Sequence, residues 1–253
     1  MKFKRIIFNL FYDEGFFCLS RNFFLQRVGD LNWIKNTFGF ENLCNHIDEL
    51  IITLTTLNPS KKQINTYLKD VENLKKNFFL PIALSGGIRN LDDARMRFNS
   101  GADKIVVNTL VHSDSDKVNL ISEKYGSQAV ILSCDYIYED KKYITTFAKA
   151  KQPSFELNKY LKNLKKINYG ELLINSVERD GTGQGFDKNI ISHLNKINKP
   201  IIIMGGAGKL EHFSSVLKNK NIDAAATGNL FNFLGNGLKN TRLSLIKKKK
   251  NLV

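Results

Sequence analysis

The chain has 253 residues, 42% of them hydrophobic, and carries 38 lysines and arginines against 24 aspartates and glutamates, a formal charge of +14. That length and apolar fraction suit one sizeable core, and no linker divides the chain, so a single domain over 1–246 with a basic tail over 247–253 is expected. The lysines are spread over predicted helices and no nucleic-acid motif or aromatic-interleaved basic stripe accompanies them, which argues for solvated helix faces and attraction to anionic ligands rather than to nucleic acid. No apolar run approaches the length of a membrane span, and the first ten residues lack the apolar core of a signal peptide. A soluble cytoplasmic protein is expected. Cys18, Cys44 and Cys134 and the four histidines show no metal-ligand spacing, so no disulfide, metal or cofactor is expected.

Apolar strand-like runs begin near Ile6, Leu50, Ile82, Ile105, Val130, Leu172, Ile201 and Ala224, with segments of helical period between them. Eight β-α units result. The intervals between strand starts in the first half are closely repeated in the second, which favours a (βα)8 barrel built from two similar half-barrels over an open doubly wound sheet. Helix starts are predicted at Asn58-Pro59-Ser60, at Asn90 to Asp93 and at Ser113-Asp114, the three helices ending near Asn77, Gly101 and Gly126. Longer non-helical stretches, 12–30 and 136–154, follow the first and fifth strands, on the face where barrels place their chemistry. The strongest repeat is Pro81-Ile82-Ala83-Leu84-Ser85-Gly86-Gly87-Ile88-Arg89 against Pro200-Ile201-Ile202-Ile203-Met204-Gly205-Gly206-Ala207-Gly208. In both, a buried strand ends in paired glycines ahead of a helix, so backbone N–H groups can close on a phosphate with no Cβ in the way.

Lys4-Arg5-Ile6-Ile7, Gly101-Ala102-Asp103-Lys104 with Asn108-Thr109, Gly170-Glu171-Leu172-Leu173, Arg179-Asp180-Gly181-Thr182 with Gly185 and Asp187, and Gly205 to Phe213 together resemble the cyclase subunit of imidazole glycerol phosphate synthase, over about residues 3–233. In that family a glutaminase docks at the barrel's lower face, ammonia passes up the barrel, and a bisphosphorylated ribonucleotide is cyclised and cleaved at the upper face. The resemblance implies one phosphate site at Gly86, Gly87, Asn108 and Thr109. It implies a second at Gly205, Gly206, Gly228 and Asn229, with Asp180 and Gly181 supplying the loop after the sixth strand. It implies that Arg5, Glu49, Lys104 and Glu171, which open strands one, two, four and six, form a charged gate for ammonia, and that Asp103 beside the gate lies at the docking surface.

The upper face departs from the family. Its chemistry uses one aspartate at the end of the first strand and another at the end of the fifth as general acid and base. Asp135 matches the second, but Phe11 stands at the first, and Asp13, two residues on, is displaced by roughly 6–7 Å along an extended chain. Leu19 replaces a loop lysine, Thr53-Leu54-Thr55 replaces a segment with an aspartate, and Asn175 replaces a threonine. This pattern resembles cyclase-like paralogues associated with surface-glycan biosynthesis, which implies delivery of ammonia from a glutaminase to the amidation of a sugar, with a phosphorylated or nucleotide-sugar ligand. The alternatives are a genuine cyclase subunit of histidine biosynthesis, a sugar-phosphate isomerase of the sister barrel, and a non-catalytic phosphate-binding partner of a glutaminase.

Overall fold

The computed structural model describes residues 4–36, 40–76, 79–147, 154–228, 240, 242–244, 246 and 247, with Asn42 by its backbone alone. In chain order the strands are β1 (Arg5–Asp13), β2 (Phe16–Arg21), β3 (Phe24–Gly29), β4 (Glu49–Leu54), β5 (Ile82–Ser85), β6 (Lys104–Val107), β7 (Val130–Glu139), β8 (Lys142–Thr146), β9 (Glu171–Ser176), β10 (Ile201–Met204) and β11 (Ala224–Thr227). The helices are α1 (Leu31–Asn36), α2 (Phe40–Cys44), α3 (Lys61–Lys75), α4 (Leu91–Asn99), α5 (Thr109–Ser113), α6 (Ser115–Tyr125), α7 (Leu157–Asn163) and α8 (Leu210–Leu217). Strands β1, β4, β5, β6, β7, β9, β10 and β11 pair in parallel in that order, and β11 returns to β1 with Arg5 opposite Ala224. The chain is therefore a closed (βα)8 barrel.

Side chains two apart on a strand share a face, and this parity sorts the barrel into an inside and an outside. Ile6, Phe8 and Leu10 of β1 join the shell between strands and helices, whereas Ile7 and Phe11 join an interior cluster with Ile51, Ala83, Val106, Ile131, Leu173, Ile202 and Ala224. Every barrel strand contributes to that cluster. Continued along each strand, the same parity puts Arg5, Glu49, Lys104 and Glu171 at the lower end and Phe11, Asn108, Asp135, Asn175 and Gly228 at the upper.

Helix starts follow their caps. Ser60 and Gln63 form a capping box ahead of α3, Asn90 accepts from the Asp93 N–H ahead of α4, and Asp114 accepts from the Lys117 N–H ahead of α6. Two expectations need correction. The segment after β9 carries only a 3-10 helix, Asn189–Leu194, so the sixth unit lacks an α-helix. The stretches after the first and fifth strands are strand extensions: β1 folds back as β2 and then β3, and β7 folds back as β8. Each turn has two residues at positive φ, namely Glu14-Gly15, Asn22-Phe23 and Asp140-Lys141. Such turns match the twist of the strands they join. Five of these six residues are not glycine, which is why the hairpins are hard to see in the sequence.

Candidate ligand site and charged base

At the lower end, four charges close into one ring. Arg5 Nη1 donates to Glu49 Oε2 at 2.8 Å and to Glu171 Oε1 at 3.2 Å, while its Nη2 donates to Glu171 Oε2. Lys104 Nζ donates to both Glu49 oxygens, at 3.0 and 3.1 Å, and to Glu171 Oε1 at 2.6 Å. The four residues expected to form a charged group are thus brought together, each cation touching both anions. Glu49 and Glu171 are buried, and burial pushes both carboxyls up; at Glu171 the bonds from Arg5 and Lys104 outweigh this and hold it below its ordinary value, whereas at Glu49 burial prevails.

Beside the ring runs a second repeated device. Asp48, Asp103 and Asp223, each preceding a barrel strand, accept an N–H from the start of the strand before, from Ile6, Ile82 and Ile201 at 2.7, 2.8 and 2.9 Å. Asp103 is exposed at this rim, as expected of a docking residue, but one carboxylate oxygen is committed to Ile82. Gly170 stands at the fourth such place, where a Cβ would come within 2.8 Å of Gln128 Cα.

The upper end holds a pocket of about 230 Å³. Asn9, Thr53, Ser85, Asn108, Thr109, Ser133, Asp135 and Asn175 give it polar walls, Phe11, Leu57 and Phe147 an apolar rim, and Ser20, Phe23 and Leu25 of the β2–β3 hairpin a cover. Asp135, on the inward face of β7, accepts from Asn108 Nδ2 at 2.7 Å and from Asn175 Nδ2 at 3.1 Å. Burial pushes its carboxyl up to about 6 against the opposing pull of these two bonds. The Oδ1 atoms of Asn108 and Asn175 are buried with no hydrogen-bond partner among the described residues. They are acceptors left unmatched in two residues that line the pocket.

A raised folded-state value means that the native protein binds this proton more tightly than the unfolded chain does. Stability from Asp135 is therefore fully present below the usual value near 3.8 and is lost as pH rises through about 6. Thermal melts of the wild type and Asp135→Asn at about pH 4.5 and about pH 7.5 should show the wild type losing on the order of 2 kcal/mol relative to the variant on going to the higher pH. A pH-independent difference would place the titration of Asp135 elsewhere.

Phe11 occupies the inward position across the mouth. Its ring lies against Gly228, where a Cβ would meet Phe11 Cε2 at 2.5 Å. The glycine expected to bind phosphate is thus covered by an aromatic ring; Asn229, expected beside it, lies outside the described residues. Asp13, the displaced carboxylate, is held by Arg27 at 2.8 Å and by Thr56 at 3.0 Å.

Both glycine pairs adopt the backbone shape that only glycine takes freely: φ is 91° and 65° at Gly86 and Gly87, and 98° and 94° at Gly205 and Gly206. Asn108 and Thr109, at the start of α5, line the pocket beside the first pair. The second pair is braced from behind, Gly185 N donating to Gly206 O at 2.6 Å and Arg179 Nη1 to Gly185 O at 3.0 Å. Asp180 and Gly181, expected in the second phosphate loop, instead hold the hairpin. The Asp180 carboxylate accepts from Ser20 Oγ and from Phe23 N at 3.1 Å, its carbonyl accepts from Asn22 N at 3.0 Å, and a Cβ on Gly181 would meet Arg21 Cα at 2.8 Å. Asn22 Nδ2 adds a bond to Glu178 O at 3.0 Å. A carboxylate with these donors around it is a strap rather than a phosphate ligand in this arrangement.

Parallel strands closed into a barrel, a pocket at their C-terminal ends and a charged plug at the other end define a (βα)8-barrel protein of the kind that works on small ligands through its upper loops. Residues 45–236 match the family model described as histidine biosynthesis protein. A relative in Parasynechococcus marenigrum, provisionally named imidazole glycerol phosphate synthase subunit hisF2, is 39% identical over 245 residues, covering 96% of this chain and 90% of its own length. Imidazole glycerol phosphate synthase subunit HisF of Chlorobium limicola is 34% identical over 188 residues, 74% of each chain, and that of Chlorobaculum tepidum is 33% identical over 232 residues, 91% of this chain and 90% of its own. The chain belongs to the HisF family of imidazole glycerol phosphate synthase cyclase subunits. Among the described residues no helix is long and apolar enough to cross a membrane.

Proposed function

We propose that this chain is the ammonia-channelling synthase subunit of a glutamine amidotransferase complex, paired with a separate glutaminase at its lower face, and that it delivers ammonia to a phosphorylated or nucleotide-sugar acceptor rather than running the cyclase reaction at normal rate. The observation that carries this is the relation between pocket and ring. The pocket reaches down to Ile51, Val106 and Leu173, and each of these stands two residues along its strand from Glu49, Lys104 and Glu171. One layer of side chains, roughly 6–7 Å deep, separates the floor of the pocket from the charged base. A paired ring whose two carboxylates are buried rarely stabilises a barrel better than apolar packing would, so its presence fits a passage for a small polar molecule. At the upper end, the unpaired oxygens of Asn108 and Asn175 and the Asp135 carboxylate offer acceptors for N–H groups. Phe11 removes the partner acid or base that a cyclase uses, which favours the sugar-amidation branch over histidine biosynthesis. The two glycine pairs serve as phosphate cradles in this scheme.

The test is to mix the purified chain with the glutaminase encoded nearest to it and to follow co-elution and glutamate release. A one-to-one complex with stimulated glutamine hydrolysis is expected, and Asp103→Lys should weaken co-elution. The change also breaks the bond to Ile82 N, so circular dichroism should first establish that the variant is folded. Separate elution with unstimulated hydrolysis would leave the ring without a partner and turn preference to the isomerase-like or non-catalytic ligand-binding alternatives.

A further inference from the structure

The largest fully buried side chain among the described residues is a cation. Arg97, on α4, is 0% exposed. Its Nη2 donates to Gly86 O at 2.8 Å, its Nη1 reaches Asp93 O at 3.4 Å, and its Nε has no partner among the described residues. Among the described residues no carboxylate takes it up: the Asp93 carboxylate, one turn earlier, is turned to the Arg89 N–H at 2.9 Å. Burial pulls the guanidinium below its ordinary value, with the fields of Tyr67 and Asp93 opposing, but an arginine stays protonated in proteins. A buried charge whose bonds are only to backbone carbonyls costs several kcal/mol.

The position of this charge gives it a use. A Cβ on Gly87 would lie 3.3 Å from Arg97 Nη2, so the guanidinium sits directly behind the first glycine pair. The Gly86–Gly87 peptide is planar, with its C=O and N–H on opposite sides. By holding the Gly86 carbonyl, Arg97 turns the Gly87 N–H the other way, and the bond to a cation polarises that peptide so that the N–H is a stronger donor.

We propose that Arg97 is the built-in counter-charge and positioning residue of an anion site at Gly86 and Gly87, which takes the dianion of a phosphate monoester and relieves an otherwise uncompensated buried cation. This rests on the reading of that glycine pair as a phosphate cradle. The site is then selective for charge rather than shape, and the first turn of the Gly86–Gly87 loop is tightened by its ligand. The free protein carries the cost of the buried charge until an anion arrives.

Inorganic phosphate serves as the probe. Amide resonances of Gly87 and Gly206 are followed during its titration into the wild type, Arg97→Leu and Arg97→Lys, alongside thermal melts with and without phosphate. The expected result is that Arg97→Leu weakens the response at Gly87 by about tenfold or more and leaves that at Gly206 unchanged, with Arg97→Lys in between. Without phosphate, Arg97→Leu should melt no lower than the wild type, and phosphate should raise its melting temperature less. Equal affinity at Gly87 in all three proteins overturns the proposal while the cradle stands. So does an Arg97→Leu variant that loses stability equally with and without phosphate, or that fails to fold while Arg97→Lys binds phosphate no more weakly than the wild type, since either marks a structural role alone. A response at Gly206 but none at Gly87 in the wild type removes the first site only, whereas no response at either glycine removes the cradle reading and the proposal with it.

Discussion

Replacing Glu171 by alanine should destabilise the protein by about 3–5 kcal/mol, because it leaves Arg5 and Lys104 to share Glu49 in a place where a broken buried pair is left uncompensated. The charge balance of the ring changes from two against two to two against one. For a chain of this size the loss corresponds to a fall of roughly 10 °C in melting temperature, measurable by calorimetry. Glu171 is 5% exposed, so the surface offered to a partner is unaltered, and co-elution with the glutaminase should persist. Glutamine hydrolysis should therefore continue while the amount of ammonia recovered in product falls. Lys104→Ala should behave alike, with the excess charge of opposite sign. If both variants melt like the wild type and transfer ammonia with the same efficiency, the ring is neither a stabilising network nor a gate.

Phe11→Asp should act on chemistry rather than on passage. The wild type is expected to form imidazole glycerol phosphate from ammonia and the cyclase substrate about 10²- to 10⁴-fold more slowly than an enzyme with both acid–base groups, since an aromatic ring exchanges no proton. Parity places residue 11 on the inward face, across the mouth from Asp135, so a carboxylate introduced there enters the same pocket. A gain of the same order is the upper limit of what it can restore. The change removes a buried aromatic and introduces a charge, costing about 3–5 kcal/mol in packing alone, so folding must be monitored by circular dichroism in parallel. Phe11→Ala is the control that separates the two effects. Equal gains from alanine and aspartate would show that Phe11 blocks space, and a wild type turning over at about 1 per second or faster would return the chain to ordinary cyclase chemistry.

The barrel was legible because its strands are buried on both faces and stand out as short apolar runs at a repeated spacing. The ring was legible only through the resemblance: Arg5, Glu49, Lys104 and Glu171 open four strands at the places where the related family carries its charged ring, and each alone reads as a solvated charge. The hairpins were not, because the turns at Asn22-Phe23 and Asp140-Lys141 place Phe23 and Lys141, residues that rarely adopt positive φ, second in the turn, and no Asn-Gly or Gly-Gly pair marks them. The strap role of Asp180 was hidden because a carboxylate beside a glycine fits a phosphate loop and a hairpin anchor equally well by type. Arg97 was invisible for a sharper reason. Helical periodicity pairs it with Ala94 on the buried face of α4, where an arginine reads as a surface residue snorkelling outward. Only the packing of Gly86 against it shows that it stays inside.

The strap between the β2–β3 hairpin and the loop at Val177–Gly181 has a kinetic consequence. Ser20, Asn22 and Phe23 hold that loop through several hydrogen bonds, and the same hairpin roofs a pocket smaller than the usual range of about 300–1,000 Å³ for ligand clefts. These bonds must open for the hairpin to lift from the pocket it lines, and ligand entry is expected to depend on that step. Association measured by stopped flow should then rise with ligand concentration and level off at the rate of hairpin opening, a ceiling set by the protein and not by diffusion. Asp180→Ala would raise that ceiling, and with it the rate at which product escapes.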